Sequence, residues 1–408
     1  MNANRLFLMS CLALTVTSMT FAIRAGILGQ LGADFGLNDA QLGMVAAMAF
    51  FGFPVAMIFG GLIYNSVGPK NLMIVAFVGH LLGLLLTIWA NGFWTLMIST
   101  FCIGFANGAV EAACNPMIAD MYHKNKTTML NRFHVWFPGG IVIGALISKF
   151  LGDAGISWQI QIATMIPITI AYGLMVFKES FPETQHTESN TLENIKAMMA
   201  PLFLVMLVLM TVTATTELAT GQWIEKILAG SGASGLLVLA LTAGLMAIGR
   251  YFAGPVVHRF NPIGVLLGSS VLATIGIYLF SQFTGPMVYI AAIVFALGVT
   301  YFWPTMLGFV SEYLPRTGAF GLSIVGGAGM FGVSLWNPVI GSKMDQARDS
   351  AIASGATGAE ADILAGQEAL SFLNIFPVFL IVAFLILFLL KIKRPEELGG
   401  ATNQQADL

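Results

Sequence analysis

The chain has 408 residues, of which 57% are hydrophobic and 9% charged, with a formal net charge of −2. Soluble domains carry roughly 25% charged residues, so a water-facing surface is excluded and the chain reads as a polytopic, all-α membrane protein. No basic run points to nucleic acid, and Cys11, Cys102 and Cys114 lie unpaired in apolar stretches, as packing residues do.

A helix needs about 20 mostly apolar residues to cross a bilayer. Runs of that kind, broken at polar clusters, number twelve. The first six lie near 6–32, 38–64, 71–91, 93–121, 126–151 and 157–177. The first starts behind Arg5 in the manner of a secretory signal. It continues through Arg24 to Leu31 without a small-x-small cleavage site, and is expected to be a retained helix. The second six lie near 198–228, 232–258, 262–282, 285–314, 317–344 and 367–391, with a polar stretch, Lys343 to Gln367, before the last.

Polar "KESFPETQHTESNTLENIK" (Lys178 to Lys196) separates the sixth run from the seventh. The expected division is a six-helix bundle over 1–177, a linker over 178–197, a second bundle over 198–391 and a tail over 392–408. Eleven loop lysines and arginines fall on the side of the N-terminus against four on the other. That bias predicts cytoplasmic termini and linker in the inner (plasma) membrane. Gly61 and Pro69 recur as Gly254 and Pro262, each 193 residues on. Two pseudo-symmetric six-helix bundles are the plan of a rocker-type secondary transporter, with its site between the halves. A monomer surrounded by lipid bilayer is expected.

Ionisable groups inside apolar helices are the best pointers to function, because their burial must be offset by partners or water. Arg24 sits two to three turns from the end of the first helix and either snorkels or faces a central cavity. Glu111 has Asn107 and Asn115 at i−4 and i+4, a polar stripe unsuited to lipid. Glu217 lies 193 residues after Arg24, the repeat offset, with Thr213, Thr220 and Gly221 on its face. An ion pair of Arg24 with Glu217 or Glu111 would offset two buried charges. His134, with Asn131 before it, titrates near neutrality when unperturbed. Trp223, Tyr301, Trp303 and Trp336 are candidate platforms for a sugar ring, and Asn337 a hydroxyl partner. His80 and His258 stand alone. No phosphate loop, metal cluster, cofactor motif or catalytic nucleophile is present, so an enzyme is not expected.

The segment "GLIYNSVGPK" after the second run resembles the signature loop of the major facilitator superfamily, G-x-x-x-D-R-x-G-R-R/K. Gly61, Gly68 and Lys70 fit, while Asn65, Ser66 and Pro69 stand at the Asp, Arg and Arg positions. The second copy, "GPVVHRFNP", has His258 at the acidic position and keeps Arg259. Within the superfamily, "VEAACNPMIADM", "LNRFHVWFPGG", "TELATGQWIEKIL" and "FWPTM" resemble the fucose/glucose/galactose–proton symporter family. That resemblance implies proton coupling at Glu111 and sugar contacts at Asn131 and His134. The family's acidic residue on the first helix falls near Ala25, beside Arg24.

The expected function is import of a small polar solute, most simply a sugar, by proton symport with alternating access. Sodium is the alternative coupling ion. The alternative substrate is an organic anion or sugar acid, because a guanidinium offers paired donors to a carboxylate. Arg24, Asn107, Asn115, Asn131, His134, Trp223, Tyr301, Trp303 and Asn337 are the expected substrate residues, with Glu111, Glu217 and Arg24 in ion coupling.

Overall fold

The structure is a computed structural model. It describes residues 2–122, 126–182 and 191–391, without the side chains of 65, 126–128, 131, 191–193, 253–260 and 319. The predicted tail therefore lies outside the described residues, as do part of the linker and the His258 and Arg259 side chains. In hydrocarbon every backbone N–H and C=O must find a partner inside the protein, which leaves the helix as the natural form for these apolar runs. Eleven described helices are long and apolar enough to cross a membrane. They are α1 (Ala3–Phe35), α2 (Asp39–Tyr64), α3 (Ser66–Ile88), α4 (Phe93–Met121), α5 (Arg132–Asp153), α6 (Trp158–Lys178), α7 (Pro201–Ile227), α9 (Asn261–Gln282), α10 (Gly285–Tyr313), α11 (Phe320–Ala353) and α12 (Gly358–Leu389). A shorter apolar helix, α8 (Gly235–Tyr251), completes the alternation.

Two boundaries differ from expectation. The stretch Lys343 to Gln367 is helical apart from a short turn, so α11 and α12 extend beyond the apolar runs. Its residues are mostly good helix formers. Thr357 and Glu360 form a reciprocal capping box that starts α12. At the other end, the helical backbone runs on past Tyr64 and breaks only at Gly68, whose φ of 79° turns the chain into α3 ahead of its apolar run.

Helices α2 and α11 pack along each other, as do α5 and α8, joining the first six helices to the last six. The α2–α11 approach is closest on the distal face, the one opposite the N-terminus. There a methyl group at Gly43 would lie 2.8 Å from the Cα of Pro338. Toward the proximal face, Gly326 and Gly327 meet only side-chain atoms of Met57, Pro54 and Ile58, besides Trp303 of α10. The two helices thus converge distally, where small residues allow backbone contact.

The distal face also carries the ion pairs that join the halves between described residues. Asp39, at the start of α2, is buried and takes Lys226 of α7 and Arg348 of α11, the latter at 2.8 Å. Asp345 of α11 reciprocates. Its carboxylate accepts the backbone N–H groups of Asp39 (2.9 Å) and Ala40 (2.8 Å), capping the positive end of α2 from across the interface. Arg348 also reaches Asp362 of α12 at 2.8 Å.

Candidate functional site

A cavity lies between the halves, walled by α1, α2 and α5 on one side and by α7 to α11 on the other. Its empty space, open mouth included, is about 710 Å³. Phe21, Phe50, Phe137, Met246 and Met330 give the wall its apolar character, while Glu217, Thr220, Gln222 and Thr242 supply its polar side chains. A concave, mostly apolar wall with a few convergent polar groups is the usual form of a small-molecule site.

Helix α7 brings the polar residues there through a local irregularity. Thr215–Ala219 forms a π-helical turn, which inserts a residue into the ladder and shifts the phase of the turns after it. Glu217 lies inside that turn, and Thr220, Gly221 and Gln222 come next, at the cavity wall. Sequence alone gives no mark of a π turn, and Gln222 is not among the expected site residues.

Arg24 is 5% exposed and sits directly behind the wall. Its guanidinium carbon is 5.1 Å from the Phe21 ring centre and 5.7 Å from that of Phe50, near enough for cation–π attraction. Its Nε and Nη2 both donate to Oε1 of Gln222, at 3.2 and 3.1 Å. Gln222 thus stands at the wall with the guanidinium held against its amide.

The expected ion pair of Arg24 with a carboxylate is not formed. Glu217 instead pairs with Arg250 of α8, whose Nη2 donates to Oε1 at 3.1 Å while its Nε donates to the Thr300 carbonyl at 2.9 Å. Glu111 is engaged in its own half, 3.9 Å from His134. The repeat offset matches Arg24 with Glu217 in position along the two halves. Symmetry-equivalent positions face a common axis without having to touch, and Arg250 reaches the carboxylate from the neighbouring helix. Glu217 Oε2 and Gln222 Nε2 are buried with no partner.

A second polar cluster lies nearer the proximal face. Asn115 Nδ2 donates to Glu111 Oε2 at 2.6 Å, and Nε2–H of His134 donates to Asn115 Oδ1 at 3.1 Å. The His134 side chain is 40% exposed and that of Glu111 9%. Here the i, i+4 spacing delivers the contact that the sequence implies. The Asn131 side chain lies outside the described residues.

Other expected site residues are used in packing. Asn107 is fully buried, donating to Thr20 Oγ1 at 3.0 Å and accepting from His80 Nε2 at 2.7 Å. Tyr172 donates its hydroxyl to His80 Nδ1 at 2.8 Å. This chain of bonds ties α1, α3, α4 and α6 together, so His80 is not isolated. Trp223 is also fully buried and donates to Asn337 Oδ1 at 2.8 Å, while Asn337 Nδ2 donates to the Val333 carbonyl. Neither Trp223 nor Asn337 lines the cavity. Trp303 lies against Gly326 and Gly329, and Tyr301 donates to the Gly249 carbonyl at 3.2 Å. Trp336 packs with Phe372 and Phe376. Among the described residues, no group of three or more His, Cys, Asp or Glu side chains could hold a metal.

Comparison with known proteins gives a consistent family. A relative, the uncharacterized MFS-type transporter YqjV of Bacillus subtilis (strain 168), is 23% identical over 297 residues, covering 68% of this chain and 71% of its own. Among solved structures, a bacterial homolog of the human lysosomal transporter Spinster, inward-facing and unoccupied, superposes with a TM-score of 0.75. It is 15% identical, over 94% of this chain and 96% of that one. A D-xylose–proton symporter gives 0.72 at 14% identity, over 90% and 96% of the two chains. These likenesses establish the fold. The family model of the Major Facilitator Superfamily matches residues 7–337, and the chain belongs to that superfamily of membrane transporters.

Proposed function

We propose that this transporter carries a small organic anion with an apolar body, by proton symport and alternating access, with Arg24 as the anion-binding residue. The observation that carries the reading is the buried guanidinium beside an apolar cavity, with no carboxylate paired to it among the described residues. A buried charge without a counter-ion is costly. A substrate carboxylate would supply the missing charge, and the phenylalanine and methionine wall would take its apolar part. Residues 1–177 would rock against 198–391 about this site, the linker and both termini lying on the cytoplasmic side.

Proton coupling is assigned to Glu111 with Asn115 and His134. A carboxylate and an imidazole sharing one amide, the imidazole partly exposed, form a site that can take up and release a proton. The polar-solute reading places a sugar in the same cavity, against Thr220, Gln222 and Thr242 of its wall. It is favoured by the symporter fold match, but the mostly apolar wall offers a sugar's hydroxyls few partners.

The test is uptake into proteoliposomes under an imposed pH gradient, with neutral pentoses and hexoses compared against aliphatic and aromatic carboxylates. Carboxylates are expected to accumulate, and Arg24→Leu to abolish their accumulation. Accumulation of neutral sugars alone, undiminished in Arg24→Leu, would overturn the assignment.

A further inference from the structure

Gln222 occupies the place a substrate carboxylate would need. A guanidinium binds a carboxylate best along one edge, through two parallel N–H···O bonds. The Nε and Nη2 edge of Arg24 is already taken by one oxygen, Gln222 Oε1, at 3.2 and 3.1 Å. Gln222 is 3% exposed, reaches the cavity wall, and leaves its Nε2 without a partner. An amide oxygen satisfies the donors without neutralising the charge. A carboxylate in its place would do both, and in a low-dielectric wall the charge makes the larger difference.

We propose that Gln222 is a built-in stand-in for the substrate's carboxylate, displaced from Arg24 when the anion enters, and that the substrate is a monocarboxylate with an apolar body. This rests on the reading of Arg24 as the anion-binding residue. A single negative charge is what the local balance requires. Arg250, the cation on the neighbouring helix, is committed to Glu217 and to the Thr300 carbonyl, so of the two arginines beside the cavity Arg24 is the one without a carboxylate partner among the described residues. Once off Arg24, Gln222 can turn its unpartnered Nε2 toward the second carboxylate oxygen. The adjacent π turn, Thr215–Ala219, gives α7 a place to change register as the side chain moves.

The experiment measures binding of 3-phenylpropionate, 3-phenylpropionamide and 3-phenylpropanol to the purified full chain by titration calorimetry, with melting temperature recorded for each variant without ligand. The parent is expected to prefer the acid to its amide and alcohol by at least tenfold. Gln222→Glu puts a fixed carboxylate on Arg24. It should weaken binding of the acid at least thirtyfold, erase the preference over the amide, and raise the ligand-free melting temperature. Gln222→Met removes the stand-in without adding charge and should lower that temperature. A residue that only packs would destabilise in both variants, so a lowered or lost fold in Gln222→Glu overturns the proposal. Unchanged acid binding in Gln222→Glu, while Arg24→Leu loses it, overturns the role of Gln222 alone. Equal acid binding by the parent and Arg24→Leu, or none by the parent, overturns the Arg24 reading and this proposal with it.

Discussion

Replacing Asp39 with Asn should loosen the distal face. Asp39 is 2% exposed and carries two cations, Lys226 from α7 and Arg348 from α11. Removing one member of a fully buried pair costs about 3–5 kcal/mol. Here the cations keep part of their hydration, with side chains 18% and 26% exposed. Arg348 also retains Asp362 and Asp345, while Lys226 has no other ion-pair partner among the described residues. The loss should therefore fall below that range, at about 2–3 kcal/mol. If it acts on closure, the closed-to-open ratio falls roughly 30- to 150-fold. Spin labels at Asn91 and Ser354, exposed distal positions on opposite halves, would report the change as a longer distance population by pulsed electron resonance. Native cysteines would be replaced beforehand. An unchanged distance distribution in a folded Asp39→Asn protein would refute the assignment of Asp39 as the joint of the two halves.

Two further substitutions separate coupling from architecture. Glu111→Gln should abolish accumulation driven by a pH gradient while leaving counterflow exchange, and full accumulation in the variant would remove Glu111 from proton coupling. Trp223→Phe leaves the buried Asn337 Oδ1 without its donor and should cost about 1–3 kcal/mol of stability. Thermal denaturation should register that loss with substrate affinity retained, and a weakened affinity at unchanged melting temperature would bring Trp223 back to the substrate.

The superfamily loop after α2 departs from its pattern at Asn65, Ser66 and Pro69, and the described residues show charged joints between the halves on the distal face. Asp345 caps the start of α2 from the other half, and Asp39 gathers cations from α7 and α11, all on the distal face. The sequence places Lys226 and Arg348 on that face only as members of a charge bias. Their meeting at Asp39 depends on the crossing of α2 and α11, and no spacing within either helix encodes it.

Legibility in the sequence depends on the range of each interaction. Twelve helices are legible because hydropathy is a property of consecutive residues. The Glu111–Asn115 contact is legible because i and i+4 share a helical face. The apolar residues around Arg24 leave both snorkelling and a buried place open, and they do not name its partner. Repeat arithmetic points to Glu217, whereas the π turn Thr215–Ala219, which neither the repeat nor hydropathy marks, sets the path of α7 past the cavity. It leaves Glu217 with Arg250 and Gln222 with Arg24. Asn107, Trp223 and Asn337 show the converse. A polar or aromatic side chain inside a membrane helix must be satisfied, and hydrogen bonds between helices satisfy it as well as a ligand does. The discriminating feature is therefore not polarity in an apolar helix but polarity left incompletely answered. Among the described residues Thr17 Oγ1 and Asn374 Oδ1 meet that condition too, but only Glu217 and Gln222 meet it in the cavity wall, with Arg24 held against Gln222.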